Sequence, residues 1–408
     1  MSALDGLRVL DLTRLLPGGF CSLLLADFGA DVIKVEDTGL GDYVRWAPPH
    51  YQGAEKSASS ALFLSLNRGK RSIRVDLKSA GGKGVLLRLV RDADVLLESF
   101  RPGVLDRLGV GYERLRTENG GLVYCAITGY GQDGPNRDRP GHDINYLGLN
   151  GILGLSGEAG GPPVSSAAQI ADLGGGALMA VAGILMALQE RASSGEGQRV
   201  DCSMFDGSLS FLAMLAGEML ADDSTPRRGH LRLAGGIVCY RPYECADGYV
   251  TLGALEPKFW AEFCRGVGRG DLLDHAFDAP GSAAHRALSD IFVARTREEW
   301  RAFASEHECC LEPVLDLDEA LQSEQVAARE MVVDFAQPGA ERPVRLLGVP
   351  VKLSRTPGDP TRAQGPGLGH HTSEVLAEAG FSADEIEALH ASGAVAGPAE
   401  APTTTFMS

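Results

Sequence analysis

A strand, a helix and a second strand follow one another at the start of the chain, and no other feature constrains the fold as strongly. Leu7-Arg8-Val9-Leu10-Asp11-Leu12 is a short β-rich run, and Leu15-Leu16-Pro17-Gly18-Gly19 leads from it into a helical stretch, Phe20 to Phe28. Gly29-Ala30-Asp31 then turns into Val32-Ile33-Lys34-Val35-Glu36, a run apolar enough for a buried strand. Such a unit joins parallel strands through a right-handed crossover. An α/β fold with a Rossmann-like domain and a parallel sheet is therefore expected. The first turn lacks the Gly-x-Gly-x-x-Gly spacing that seats a pyrophosphate, so a nicotinamide cofactor is not.

The same alternation continues through a helix at 82–91 and strands at 95–98, 122–131 and 199–203, with helices at 174–191 and 205–220. These assign residues 1–220 to a large domain, as expected of a 408-residue chain that exceeds one ordinary core. Residues 221–236 change composition and read as a linker. From Val238 the period becomes alternation around the turn Ala246-Asp247-Gly248, a hairpin, and Thr296-Arg297-Glu298-Glu299 has the capping-box pattern. Residues 237–330 are thus expected to form a smaller α+β domain, 331–390 a return segment, and 391–408 a disordered tail. Residues 38–60, rich in Gly, Pro and Ser, read as a mobile polar loop.

With 38 basic against 54 acidic residues the net charge is −16, which argues against a nucleic-acid footprint. The eight cysteines form no Cys-x-x-Cys pair and no metal-ligand spacing, and read as thiols in a reducing compartment. No basic region followed by an apolar stretch opens the chain. The apolar run Ala177 to Leu188 is too short to span a bilayer. A cytoplasmic protein without a membrane or nucleic-acid partner is the expectation.

Chemistry concentrates in 141–176. Gly141-His142-Asp143 and Ala171-Asp172-Leu173-Gly174-Gly175-Gly176 place a histidine and two carboxylates among small residues beside a long apolar helix. Imidazole and carboxylate together suit proton transfer, with Asp172 expected to be held ionised by the helix dipole. The plain alternative for Asp172 is a helix N-cap. Basic residues gather elsewhere: Arg68, Lys70, Arg71, Arg74 and Lys78 in one turn and strand, Arg101 and Arg107 after another. Against an acidic background they favour a phosphate-bearing ligand, with solvated surface charge as the alternative.

Taken together, Leu4-Asp5-Gly6-Leu7-Arg8-Val9-Leu10-Asp11, Ala26-Asp27-Phe28-Gly29-Ala30-Asp31, Leu66-Asn67-Arg68-Gly69-Lys70-Arg71-Ser72, Phe100-Arg101-Pro102-Gly103 and Gly129-Tyr130-Gly131-Gln132-Asp133-Gly134-Pro135 resemble the class III CoA-transferase family. Gly141-His142-Asp143 and Leu255-Glu256-Pro257-Lys258-Phe259 resemble its α-methylacyl-CoA racemase branch. The resemblance implies an acyl-CoA substrate, an interlocked homodimer, and no cofactor or metal beyond the CoA of the substrate. It implies that His142 and Asp172 exchange protons at the acyl α-carbon, with Asp143 beside them and Glu256 holding the imidazole tautomer. Backbone N–H groups at Asp172 to Gly176 would bind the enolate oxygen, and the glycines would admit the thioester. For CoA it implies Leu15 and Leu16 near the adenine, Lys70 and Arg71 near the phosphates, and Ser99, Phe100, Arg101 and Arg107 along the nucleotide and pantetheine. Asp37-Thr38 stands where relatives commonly carry an arginine. Two other readings stay open: a CoA transferase with Asp172 as nucleophile, and an acyl-CoA binding protein without chemistry.

Overall fold

The computed structural model describes residues 2–399. Strands β1 (Arg8–Asp11), β2 (Asp31–Glu36), β3 (Lys70–Val75), β4 (Val95–Glu98), β5 (Val123–Thr128) and β6 (Arg199–Ser203) form one parallel sheet in the order β3-β2-β1-β4-β5-β6. The residues of β1 to β5 are almost entirely buried, as strands covered on both faces require, while the edge strand β6 is exposed at Arg199 and Asp201. Leu10, Ile33, Ile73, Leu96 and Ala126 meet Val85, Leu86 and Leu89 of the helix Ala80–Val90 in one core. Ser79 starts that helix by accepting the Gly82 N–H at 3.0 Å, a cap of the kind worth about 1 kcal/mol.

Strands β7 (Tyr240–Cys245), β8 (Gly248–Gly253) and β9 (Leu311–Pro313) form a separate antiparallel sheet. Its core is aromatic: Tyr243 stacks on Phe292 at 4.4 Å, and Phe263, Trp300 and Phe303 complete the cluster. The capping box at Thr296 and Glu299 is formed. A two-stranded ribbon, β10 (Val332–Phe335) with β11 (Val344–Leu347), precedes the last edge strand, β12 (Val395–Ala396), which pairs antiparallel with β3.

Chain contacts divide the protein into one unit of residues 1–149, 168–211 and 324–408 and another of 150–167 and 212–323. These bounds correct the sequence-based ones in three places. Residues 150–167 leave the first unit and return, an excursion from a stretch that the sequence pattern assigns to the large domain. The 221–236 segment is not a free linker, since the helix Ala213–Asp222 runs into it and all of it belongs to the second unit. The tail expected from 391 begins with structure: Val395 is buried and holds the edge of the large sheet, while residues 400–408 lie outside those described. The expected mobile loop at 38–60 is also packed. Arg45 is buried, paired with Glu36 at 2.6 Å and stacked on the Phe63 ring at 3.8 Å.

Candidate active site

The strand order reverses at β1, whose neighbours are β2 on one side and β4 on the other. Open α/β sheets bind ligands at such a switch point, past the carboxyl ends of the strands. Here the loops after β1 and β4 are joined by the Arg14 N–H, which donates to Ser99 Oγ at 3.4 Å. Leu15, Leu16, Ser99 and Phe100 lie half-buried in these two loops, and Arg101 and Arg107 stand exposed just past β4. Glu98 fixes the β4 loop: its carboxylate accepts the Phe100 N–H at 2.7 Å and the Tyr124 hydroxyl at 3.1 Å. Burial pushes the Glu98 carboxyl up to about 7, against the pull of those two bonds.

Two cations unread in the sequence face the same end. Arg14 reaches back to Asp37 and to the Tyr43 hydroxyl, so the corner where Asp37-Thr38 replaces a basic residue has a cation supplied from the β1 loop. Arg137, in the loop after β5, converges with Arg107: a carbon added at Gly103 would stand 3.2 Å from Arg107 Nη1 and 3.3 Å from Arg137 Nη2.

Lys70 and Arg71 are not free for that end. Their backbones open β3, in register with Val32 and Ile33, about four strand residues or 13 Å from the carboxyl end of β3, and only the Lys70 side chain reaches the end of β1, at Asp11. Lys70 is fully buried and saturated, bonding Ser22 Oγ at 2.7 Å, Asn67 Oδ1 at 2.8 Å, Gly19 O at 3.1 Å and Asp11 at 3.2 Å. Desolvation pulls its ammonium down to about 8. Arg71 is spent on Asp31, Glu374 and Glu378. Arg68 pairs with Asp27, and Arg74 bonds the carbonyls of Thr38, Gly39 and Gly397. The basic run is therefore mostly an internal clamp: strands need charge compensation for buried aspartates, and the sequence cannot distinguish that from a phosphate patch.

Around His142 the chain folds into one cluster. The helix Asp143–Leu149 begins just past it, the His142 carbonyl accepting the Asn145 N–H at 2.8 Å. Asp143 reaches across to 170–178, where its Oδ1 accepts the N–H of Ala171 at 2.7 Å and of Asp172 at 3.0 Å. Asp143 is thus the acceptor that ties the two segments together. Four residues after His142, Tyr146 turns its ring beneath the site and donates to Gly141 O at 2.7 Å. Its Cε1 lies 2.7 Å from where a Cβ would stand on Gly129 or Gly141, which is why both positions are glycine. Spacing of four on a helix was the available signal for Tyr146.

Asp172 is half-buried, and burial works against the ionisation that a helix dipole was expected to favour. The helix begins at Ile170 with a π-helical segment, Ile170–Leu178, that places Asp172 inside its first turn. Burial raises the Asp172 carboxyl to about 6; the neighbouring Asp143 adds repulsion, and the His142 charge offsets part of it. The expected oxyanion site also fails at its first positions. The N–H groups of Ala171 and Asp172 are spent on Asp143, and that of Leu173 on Gln169 O at 3.0 Å. Gly175 and Gly176 do not open toward a ligand. They press on the helix Met204–Leu209, where a carbon on Gly175 would meet Ser208 N at 2.6 Å and Met204 O at 2.7 Å.

Glu256 belongs to the second unit, as N-cap residue of the helix Pro257–Gly266, and its side chain makes no capping bond. Among the described residues no group of three or more His, Cys, Asp or Glu is placed to hold a metal.

The profile of CoA-transferase family III matches residues 4–372. The chain belongs to this family. An alpha-methylacyl-CoA racemase of Mus musculus is 38% identical over 95% of this chain and 96% of its own length. A succinyl-CoA:mesaconate CoA-transferase of Haloarcula hispanica is 35% identical over 93% of this chain and 97% of its own. In structure, a CAIB/BAIF family protein from Brucella suis superposes with a TM-score of 0.80 at 32% identity, covering 93% of this chain and 99% of that one. Both chemistries thus occur among family III relatives of comparable likeness.

Proposed function

We propose that the protein is an α-methylacyl-CoA racemase: it inverts the α-carbon of a 2-methylacyl-CoA by proton transfer through an enolate. One base removes the α-hydrogen as a proton and leaves its electron pair to form the thioester enolate. The conjugate acid of the other base returns a proton to the opposite face, and the enolate electrons form the new C–H bond. The observation that supports this reading is the Asp172 carboxyl, raised to about 6 by burial with the His142 charge acting on it. At that value the carboxyl can hold a proton as well as give one up near neutral pH. The CoA moiety is assigned to the β1–β4 crevice with Leu15, Leu16, Ser99, Phe100, Arg101 and Arg107. The role that the racemase resemblance gives Glu256 is part of the proposal, as is a homodimer.

The second reading, a CoA transferase, is favoured by the mesaconate relative. There the Asp172 carboxylate attacks the acyl thioester, forming a mixed anhydride and releasing the CoA thiolate, and His142 has no part.

Incubation with one enantiomer of a 2-methylacyl-CoA in D₂O separates the readings. The racemase incorporates α-deuterium and loses optical purity, and His142→Ala and Asp172→Asn both abolish this, while Glu256→Gln lowers kcat. No incorporation, with CoA transfer to an added free acid that survives His142→Ala, overturns the proposal in favour of the transferase.

A further inference from the structure

The strap between β1 and the helix Leu16–Asp27 is strained. Leu15 has φ 63° and ψ −153°, a combination only glycine adopts freely. Strain persists only where the surroundings over-determine it, and here they do. The Leu15 N–H donates to Asp42 Oδ1 at 3.2 Å, and the same oxygen accepts the Val44 N–H at 3.3 Å. Lys34 Nζ stands 2.9 Å from Asp42 Oδ2 and donates to Thr13 O at 3.0 Å. Thr13 N–H is held by Asp11 at 2.9 Å, and Arg14 N–H by Ser99. Lys34 and Asp42 are both fully buried. Two charges have been carried into the core to grip two backbone groups, the Leu15 N–H and the Thr13 carbonyl, of the strap that follows β1.

We propose that Asp42 and Lys34 are positioning residues for the nucleotide half of the substrate, clamping Thr13–Leu15 in the strained conformation that shapes the β1–β4 crevice. Neither touches the ligand; they act through Leu15. The inference rests on the acyl-CoA reading for its ligand but not for its geometry.

A cycle of Asp42→Asn and Leu15→Gly tests it, because glycine takes the strained conformation without a clamp. In the native Leu15 background, Asp42→Asn weakens CoA binding about tenfold by titration calorimetry, the equivalent of about 1.4 kcal/mol of released strain. With Leu15→Gly already present, the same substitution changes affinity less than about twofold. Equal losses in both backgrounds would make Asp42 a merely structural residue and overturn the clamp. Hydrogen exchange of the peptide spanning Thr13–Leu16 is read in parallel without ligand. It accelerates in Asp42→Asn beyond the rest of the chain, and an unchanged rate overturns the clamp even if affinity falls. Failure of the unsubstituted protein to bind CoA would sink the substrate reading, and the exchange result would still decide the clamp.

Discussion

A carboxyl raised to about 6 at Asp172 fixes a pH dependence for the step in which that group takes the proton. The base form is lost as pH falls through the raised value, so kcat/KM in that direction drops about tenfold per unit below pH 6. A profile flat to pH 4.5 would refute Asp172 as that base. Asp172→Asn removes a half-buried acid whose ionisation opposes folding, so the variant melts higher than the unsubstituted protein at pH 8 while losing α-proton exchange. Glu98 supplies a second test away from the chemistry. Its carboxyl lies near 7 in the fold and near 4.5 when exposed, raised by burial. The folded state therefore keeps a proton that the unfolded state has lost, and stability falls as pH rises from about 4.5 to 7, by up to about 3 kcal/mol. Glu98→Gln has no such proton. Urea unfolding at pH 5 and pH 8 shows a smaller decline for the variant, and an equal decline would refute the burial argument.

At the scale of elements, one of the backbone's most crowded points is where 170–178 crosses the helix Met204–Leu209. A carbon on Gly207 would stand 2.0 Å from Gly175 O, with no flexible atom to yield. Gly207→Ala forces the two helices apart and, since overpacking in a fitted core costs about 1–3 kcal/mol, lowers the melting temperature and disturbs Asp172; Ser210→Ala, nearby and exposed, does neither. Nothing in the sequence told that Gly175 and Gly207 face each other, because helix-to-helix register is a tertiary fact. What was legible follows local rules. The β-α-β start, the strand at 199–203 and the hairpin declared themselves through apolar runs, turn residues and periods. His142 and Asp172 were legible as chemistry, but Asp143 as the tie between them was not, since it binds backbone from 28 residues away. The π-helical turn was hidden too, for its hydrogen bonds leave no pattern in side chains. Lys70 and Arg71 misled for the opposite reason: a basic run reads the same whether it meets phosphates or the protein's own carboxylates, here the buried Asp11 and the half-exposed Asp31.

Across the whole molecule, the unexplained surface is apolar and helical. The helix expected at 174–191 is continuous from Ile170 to Ser194, 25 residues with only 39% of its apolar stretch buried. Met204–Asp222 adds 19 residues with 11% buried, so both are long and apolar enough to cross a membrane. Met186 is 70% exposed and Leu220 80%. Patches of this extent on a folded chain mark a surface that something covers. A second copy accounts for them best, because both helices also carry polar and charged groups at intervals, among them Gln189, Glu190, Glu218 and Asp222, which are costly in a bilayer and tolerated at a protein face. It is also what the family resemblance implies. Sedimentation without detergent is then expected to give a species of about 86 kDa, twice the 43.1 kDa chain. Met186→Glu with Leu220→Glu shifts it toward 43.1 kDa, because each buries an unpaired charge at the contact. A monomer at micromolar concentration, or a protein recovered only in detergent, would refute the homodimer and leave these helices to another partner.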